Sequence, residues 1–145
     1  MAAQILSAAH LVLHEGDSLL MIRRFNTGWE DGNYSLVAGH IEPGEPARDA
    51  MAREAKEEAG IAIAPDDLQF VHIMHRYKTD GLARLDLFFQ CTKWQGEVHN
   101  AEPHKCDDMT WRHPDNLPTN TIPYIHKALT RIRNGHHFSE HGWPS

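Results

Sequence analysis

Cysteine is nearly absent from this sequence: Cys91 and Cys106 are the only two, and they form no CxxC pair. Neither a disulfide framework nor a cysteine-rich zinc site is expected from so few thiols. Long apolar runs are missing too, and nothing approaches the roughly 20 consecutive apolar residues that span a bilayer. The start, Met1-Ala2-Ala3-Gln4, lacks the basic opening and apolar stretch of a secretory signal. A cytoplasmic protein with no membrane partner is the expectation. There is no basic excess, since 14 Lys and Arg face 20 Asp and Glu, a formal net charge of −6. A broad basic surface for a nucleic-acid polymer is therefore not indicated. A small, highly charged phosphate compound would be repelled by this balance unless cations bring it in.

Internal repeats, low-complexity segments and linkers are also lacking, and 145 residues suit a single domain spanning 1–145. Oligomeric state stays open, a homodimer included. Histidine is abundant, with 12 copies, but no pair has HExxH spacing. Gly135-His136-His137 with His141 reads as a solvated polar tail rather than a metal trap.

Residues 5–14 and 18–24 read as strands joined by a turn at Glu15-Gly16-Asp17. A turn-rich loop covers 26–33, and Tyr34 to Val37 forms a short strand ending at Gly39. The clearest helix runs from Pro46 to Ala59, with proline in its first turn and Gly60 just past its end. Strands follow at 68–78 and 83–93 around a Thr79-Asp80-Gly81 turn. Leu85, Leu87, Phe89 and Cys91 alternate there with Arg84, Asp86, Phe88 and Gln90. Another short strand ends near Trp111. A last helix spans 123–134, with Ile125, Ala128, Leu129 and Ile132 on one face and Gly135 as its stop. This order predicts an α/β protein, a mixed sheet with helices packed on it.

At about 100° per residue, the first helix has a pattern with chemical content. Ala47, Ala50 and Met51 make a small apolar stripe, which one turn later meets Glu54 and Glu58, with Glu57 on its flank. Neighbouring carboxylates partly out of water are unfavourable unless one is protonated or a cation joins them. A salt-bridged surface helix is the plain alternative, and Arg53 to Glu57 has i,i+4 spacing for it. Lys56, however, points away from Glu54 and Glu58. Clustered oxygen ligands of this kind suit Mg2+, with Mn2+ as a substitute. The loop before the helix, Gly39-His40-Ile41-Glu42-Pro43-Gly44-Glu45, has glycines where backbone must approach closely or turn left-handed.

The segment Gly39–Ile61, GHIEPGEPARDAMAREAKEEAGI, resembles a complete Nudix box, G-x5-E-x7-R-E-U-x-E-E-x-G-U with U aliphatic. Gly39, Glu45, Arg53, Glu54, Glu57, Glu58, Gly60 and Ile61 fall in register, and only Ala55 is small for its aliphatic place. The resemblance implies an α/β/α sandwich, a mixed sheet with helices on both sides. It also implies a divalent-metal hydrolase of phosphoanhydride bonds. By this resemblance Glu54, Glu57 and Glu58 ligate the metal with the Gly39 carbonyl. Glu54 is then the first choice of general base, and Glu45 and Arg53 serve catalysis as orienting partners. His40, second in the box, either touches substrate phosphate or satisfies the loop.

Downstream, Glu102-Pro103-His104-Lys105-Cys106 with Trp111 and Leu117-Pro118 is similar to an EPxKC…W…LP pattern of Nudix members that clean nucleoside-triphosphate pools. Glu102 is a further metal or substrate ligand on this reading, or else a loop-ordering carboxylate. Trp111 is expected in the core. The SQPWPFPxS signature of NADH members is absent, as is the ADP-ribose members' proline near Arg76. Tyr77 stands where diadenosine-polyphosphate members often carry tyrosine. The expected substrate is a nucleoside triphosphate, with an oxidised or otherwise modified purine in view, cut to monophosphate and pyrophosphate. Dinucleoside polyphosphates and nucleotide sugars are alternatives. A non-catalytic ligand-sensing module is the alternative of a different class, although such domains usually lose a box carboxylate and this chain keeps them all.

Overall fold

A computed structural model describes residues 5–145. The opening Met1–Gln4, read above as no secretory start, lies outside them. The chain opens with strands β1 (Leu6–Glu15) and β2 (Ser18–Arg24), joined by a two-residue turn in which Gly16 takes φ +60°. The expected strand ending at Gly39 is in fact two, β3 (Tyr34–Ser35) and β4 (Val37–His40). The break at Leu36 has a topological cause: β3 pairs with β2, whereas β4 crosses over to pair with β1. Helix α1 (Ala47–Ala59) follows, then β5 (Gln69–Tyr77), β6 (Ala83–Cys91), β7 (Cys106–Arg112), helix α2 (Pro123–Arg133) and β8 (Phe138–His141).

The sheet is mixed, since β1 with β6 and β5 with β8 run parallel while the remaining pairs are antiparallel. Its two faces follow from the period-2 alternation of a strand. Along β1, Ala9, Leu11 and Leu13 join Met51, Ala55 and Ala59 of α1 in one core. Val12 points the other way and packs with Ile125, Ala128 and Leu129 of α2 in a second core. The α/β/α sandwich expected from the family resemblance is therefore present. Burial on both sides also explains β6, whose apparently polar side carries the fully buried Asp86 and Phe88.

Sequence and structure part company at the C-terminus. The stretch expected to be a solvated tail forms β8, hydrogen-bonded along β5, with Ser139 buried and bonded to the His72 ring at 2.7 Å. Cys91 and Cys106 are buried free thiols, as their spacing implied. Among the described residues no helix is long and apolar enough to cross a membrane.

Candidate functional site

α1 starts one residue later than its proline suggested, with Pro46 as the extended cap residue, and ends on Gly60 in the left-handed conformation, φ +71°. Its buried stripe is Ala50, Met51, Ala55 and Ala59. Ala55 is fully enclosed, so a small side chain stands where the family pattern has a larger one because the helix lies close to the sheet there. Glu54 and Glu58 flank this stripe rather than continue it. They are held at the edge of the core, each partly buried.

Gly39 sits on β4 opposite Ala9 of β1. A Cβ built there would lie 2.1 Å from the Glu54 carboxyl carbon, so any side chain at 39 would expel that carboxylate. The loop that follows turns at Gly44, φ +81°, and brings Glu45 back to accept from the Glu42 backbone N–H at 3.1 Å. Glu45 then grips Arg53 with both oxygens, at 2.8 Å from Nε and 3.0 Å from Nη2. Arg53 donates further to Glu54 Oε1 at 2.8 Å and to the His40 carbonyl at 3.1 Å. Its contact to Glu57, the i,i+4 pair legible in the sequence, is the longest at 3.5 Å. A two-pronged carboxylate–guanidinium pair of this kind fixes orientation as well as charge. It locks loop to helix and aims Glu54.

Glu58 is the electrostatic oddity. Its residue surface is only partly covered, but its Oε2 is out of reach of solvent and has no hydrogen-bond partner. Burial pushes the Glu58 carboxyl well above the usual carboxylate range; the neighbouring Glu54 carboxylate pushes the same way, with Glu102 adding to it. The Ala38 backbone N–H pulls weakly in the opposite direction. Glu54, Glu57, Glu58 and Glu102 all line one cavity of about 480 Å³, with Arg24 and Lys105 on its wall. Four carboxylates around one space, one of them with an orphaned buried oxygen, fit a hard divalent cation that accepts oxygen ligands. Among the described residues no three such side chains are already drawn together as a closed cage. Arg53 accounts for part of that, because it occupies Glu54 and reaches Glu57.

The structure thus gathers Glu54, Glu57, Glu58 and Glu102 at one cavity and sets Glu45 and Arg53 behind them as a clamp. His40 is not with them. Its side chain is exposed and lines a neighbouring cavity of about 380 Å³, together with Gly39, Arg24 and Trp29. Lys56 is exposed and makes no ion pair among the described residues. Trp111, expected in the core, is only half-buried: it packs against the α1-side core from its edge and stacks on Trp94 at 6.3 Å. Tyr77 stacks on Trp143 at 5.1 Å, away from the carboxylates. Sequence reasoning missed Arg24 and Lys105 as wall residues. Lys105 lay inside the EPxKC pattern and was open to notice, whereas Arg24 is one of two adjacent arginines that the sequence does not distinguish.

A model of the NUDIX domain matches residues 4–131. A relative named NAD-capped RNA hydrolase NudC, from Stutzerimonas stutzeri, is 34% identical over 120 residues, covering 78% of this chain but 38% of that protein. Mouse 8-oxo-dGDP phosphatase NUDT18 is 45% identical over a shorter stretch of 53 residues, 37% of this chain and 16% of that one. The chain thus spans well under half the length of these curated relatives. Among solved structures, a MutT NUDIX hydrolase from Burkholderia pseudomallei superposes with a TM-score of 0.81 at 22% identity, covering 90% of this chain and 99% of that one. A MutT protein from Methanosarcina mazei Go1 gives 0.78 at 16% identity, over 92% and 96% of the two chains. At these identities the structural likeness speaks to the fold.

Proposed function

The chain belongs to the Nudix family, and from that premise we propose that it is a divalent-metal-dependent hydrolase cutting a phosphoanhydride bond in a small nucleotide. The orphaned Glu58 oxygen on the cavity wall carries this reading: a buried carboxylate without a partner costs several kcal/mol unless a proton or a cation completes it. Glu54, Glu57 and Glu58 would hold Mg2+, or Mn2+ in its place, with the Gly39 backbone carbonyl; Glu102 faces the same space as a further ligand. A bound ion would supply charge neutralisation on the phosphate oxygens and a lowered pKa for the attacking water. Glu54 would take the water's proton on the oxygen that Arg53 does not hold. Arg53 and Glu45 act as positioning residues, since they touch the box and not the cavity. Gly39 keeps room for the Glu54 carboxylate.

The substrate reading is a nucleoside triphosphate, an oxidised or modified purine included, released as monophosphate and pyrophosphate. The EPxKC…W…LP resemblance supports the triphosphate, and the 8-oxo-dGDP phosphatase name of one relative supports the oxidised purine alone. A dinucleotide diphosphate is the second reading, favoured by the NudC name of the relative at 34% identity. Against it stands the missing SQPWPFPxS signature after the box.

A hydrolysis panel decides between them: common and oxidised nucleoside triphosphates, NAD, ADP-ribose and diadenosine polyphosphates, each with Mg2+ and with EDTA. Pyrophosphate release from a triphosphate, abolished by EDTA, is the expected result. Mononucleotide release from NAD alone would move the assignment to the second reading. Silence across the panel from folded protein, or turnover that persists in EDTA, would sink the metal-hydrolase reading.

A further inference from the structure

Immediately beside the carboxylate cavity lies the second one, of about 380 Å³, and Arg24 and Ala38 line both. Its charge is opposite in sign to the chain's. Arg24, Arg76, Lys78 and Arg84 all reach it. Two of these are already neutralised, Arg76 by Asp86 at 2.7 Å and Arg84 by Asp80 at 2.9 Å. Arg24 and Lys78 have no carboxylate within ion-pair distance among the described residues. Asp80, near Lys78 in sequence, is committed to Arg84, and Glu30 accepts from Asn33 at 2.7 Å.

Both free cations are held in place by one residue. The Arg24 guanidinium lies 4.9 Å from the Trp29 ring centre and Lys78 Nζ lies 4.6 Å from it. Arg24 Nε also donates to the Trp29 carbonyl at 2.7 Å, and Nη2 to Thr27 Oγ1 at 2.9 Å. The Trp29 loop is itself laced by Asp31, which accepts from the Thr27 and Gly28 backbone N–H groups at 3.0 and 2.9 Å. Cation–π contacts of this kind fix position without cancelling charge. Burial and repulsion from Arg84 and Arg76 lower the Lys78 pKa, while Asp80 and Glu30 oppose the shift from beyond ion-pair distance.

We propose that this cavity is the subsite for the polyphosphate tail of the substrate, with Arg24 and Lys78, fixed by Trp29, binding phosphate oxygens beyond the pair gripped at the carboxylates. The placement of the scissile pair rests on the function proposed above; the anion site itself does not. Arg24, shared by both cavities, is the hinge between metal-bound and distal phosphates. The subsite selects substrates with charge beyond a diphosphate, nucleoside triphosphates and dinucleoside polyphosphates, over ADP-ribose, whose far half is an uncharged sugar.

Inorganic tripolyphosphate is titrated into the intact chain in EDTA, read by calorimetry and by tryptophan fluorescence, with ATP and ADP-ribose as further ligands. Saturable binding that weakens steeply with salt is expected, with ATP at least tenfold tighter than ADP-ribose. Lys78→Met should weaken tripolyphosphate at least tenfold and erase the ATP preference, Lys78→Arg should restore both, and Trp29→Phe should remove the fluorescence change. Unaltered affinity in Lys78→Met, no binding in EDTA, or a full fluorescence change in Trp29→Phe would each overturn the subsite. Because the readout needs no metal and no turnover, Lys78-dependent binding by a chain that hydrolyses nothing would refute the proposed function and uphold this one.

Discussion

Asp86 and Glu58 are both carboxylates with oxygens withdrawn from water, on opposite sides of the sheet, and the protein treats them in opposite ways. Asp86 is fully buried and accepts from Arg76 at 2.7 Å and 3.3 Å. Arg76 in turn lies 3.8 Å from the Tyr124 ring centre. Every charge there has its counter-charge, and the group is part of the scaffold. Glu58 has a carboxylate neighbour, Glu54, and an oxygen with no partner at all. Among the described residues no cation pairs with it: Arg53 is spent on Glu45 and Glu54, and Lys56 faces away. A buried charge that the chain matches reads as structure, and one that it leaves unmatched marks where an external partner belongs.

The largest effect should come from breaking the matched pair. Asp86→Asn leaves a buried Arg76 without a counter-charge and should cost about 3–5 kcal/mol of unfolding free energy, measured by urea denaturation. The equivalent change on the other side should behave differently. Glu58→Gln, measured in EDTA, should leave stability unchanged or raise it, because it removes a charge that nothing compensates. Equal losses in the two variants would collapse the comparison. What Glu58→Gln should lose is turnover with Mg2+, by about a hundred- to a thousandfold, roughly 3–4 kcal/mol of transition-state stabilisation. Activity within about tenfold of wild type would remove Glu58 from the metal set.

The unmatched half of this comparison was largely legible in the sequence and the matched half was not. Glu54 and Glu58 are four apart on a helix whose limits Pro46 and Gly60 announce, so their proximity follows from helix geometry. The Glu45–Arg53 clamp spans a loop, and only the family resemblance suggested it. Arg76 and Asp86 stand on separate strands, where each looked like the solvent side of an alternating pattern. That side is covered only because α2 packs over it, which no local pattern states. β8 stayed hidden for a related reason: Phe138 to His141 is short and polar, and its pairing partner β5 lies far back in the chain. Trp29 and Lys78 likewise meet only through the fold.

A third buried group, on the Asp86 side, sharpens the contrast through pH. His10 stacks on Phe88 at 4.6 Å and bonds Tyr124 through Nε2 at 3.1 Å. Burial lowers its pKa from 6.5 to about 4, with Asp86 opposing the shift and Arg76 assisting it. Between those two values the unfolded chain binds a proton that the folded chain refuses, so stability falls as pH falls through that window. No stability is lost above 6.5, and the loss reaches about 3 kcal/mol once the lower value is passed. His10→Phe should flatten this part of the acid limb relative to wild type, in denaturation series from pH 7 to 4. An unchanged slope would show that His10 does not stay neutral.

The smallest effect is the one that joins the two sides of the argument. Glu58 has a raised pKa when folded, so in the metal-free chain its protonation favours the fold at low pH, and that advantage is lost as pH rises through the raised value. A divalent cation competes with that proton for the same oxygens. Mg2+ at a hundred times its dissociation constant should therefore stabilise the chain by about 2.7 kcal/mol at pH 8. At pH 5, where the proton competes more strongly for the site, the same concentration should stabilise it far less. Asp86 and Arg76 predict no such behaviour, because a matched pair has no vacancy for the ion to fill. Thermal unfolding with and without Mg2+ at the two pH values measures the increment, and Glu58→Gln should make it small and nearly independent of pH. An Mg2+ increment of equal size at both pH values, or one that survives intact in Glu58→Gln, would place the ion elsewhere and return Glu58 to the scaffold.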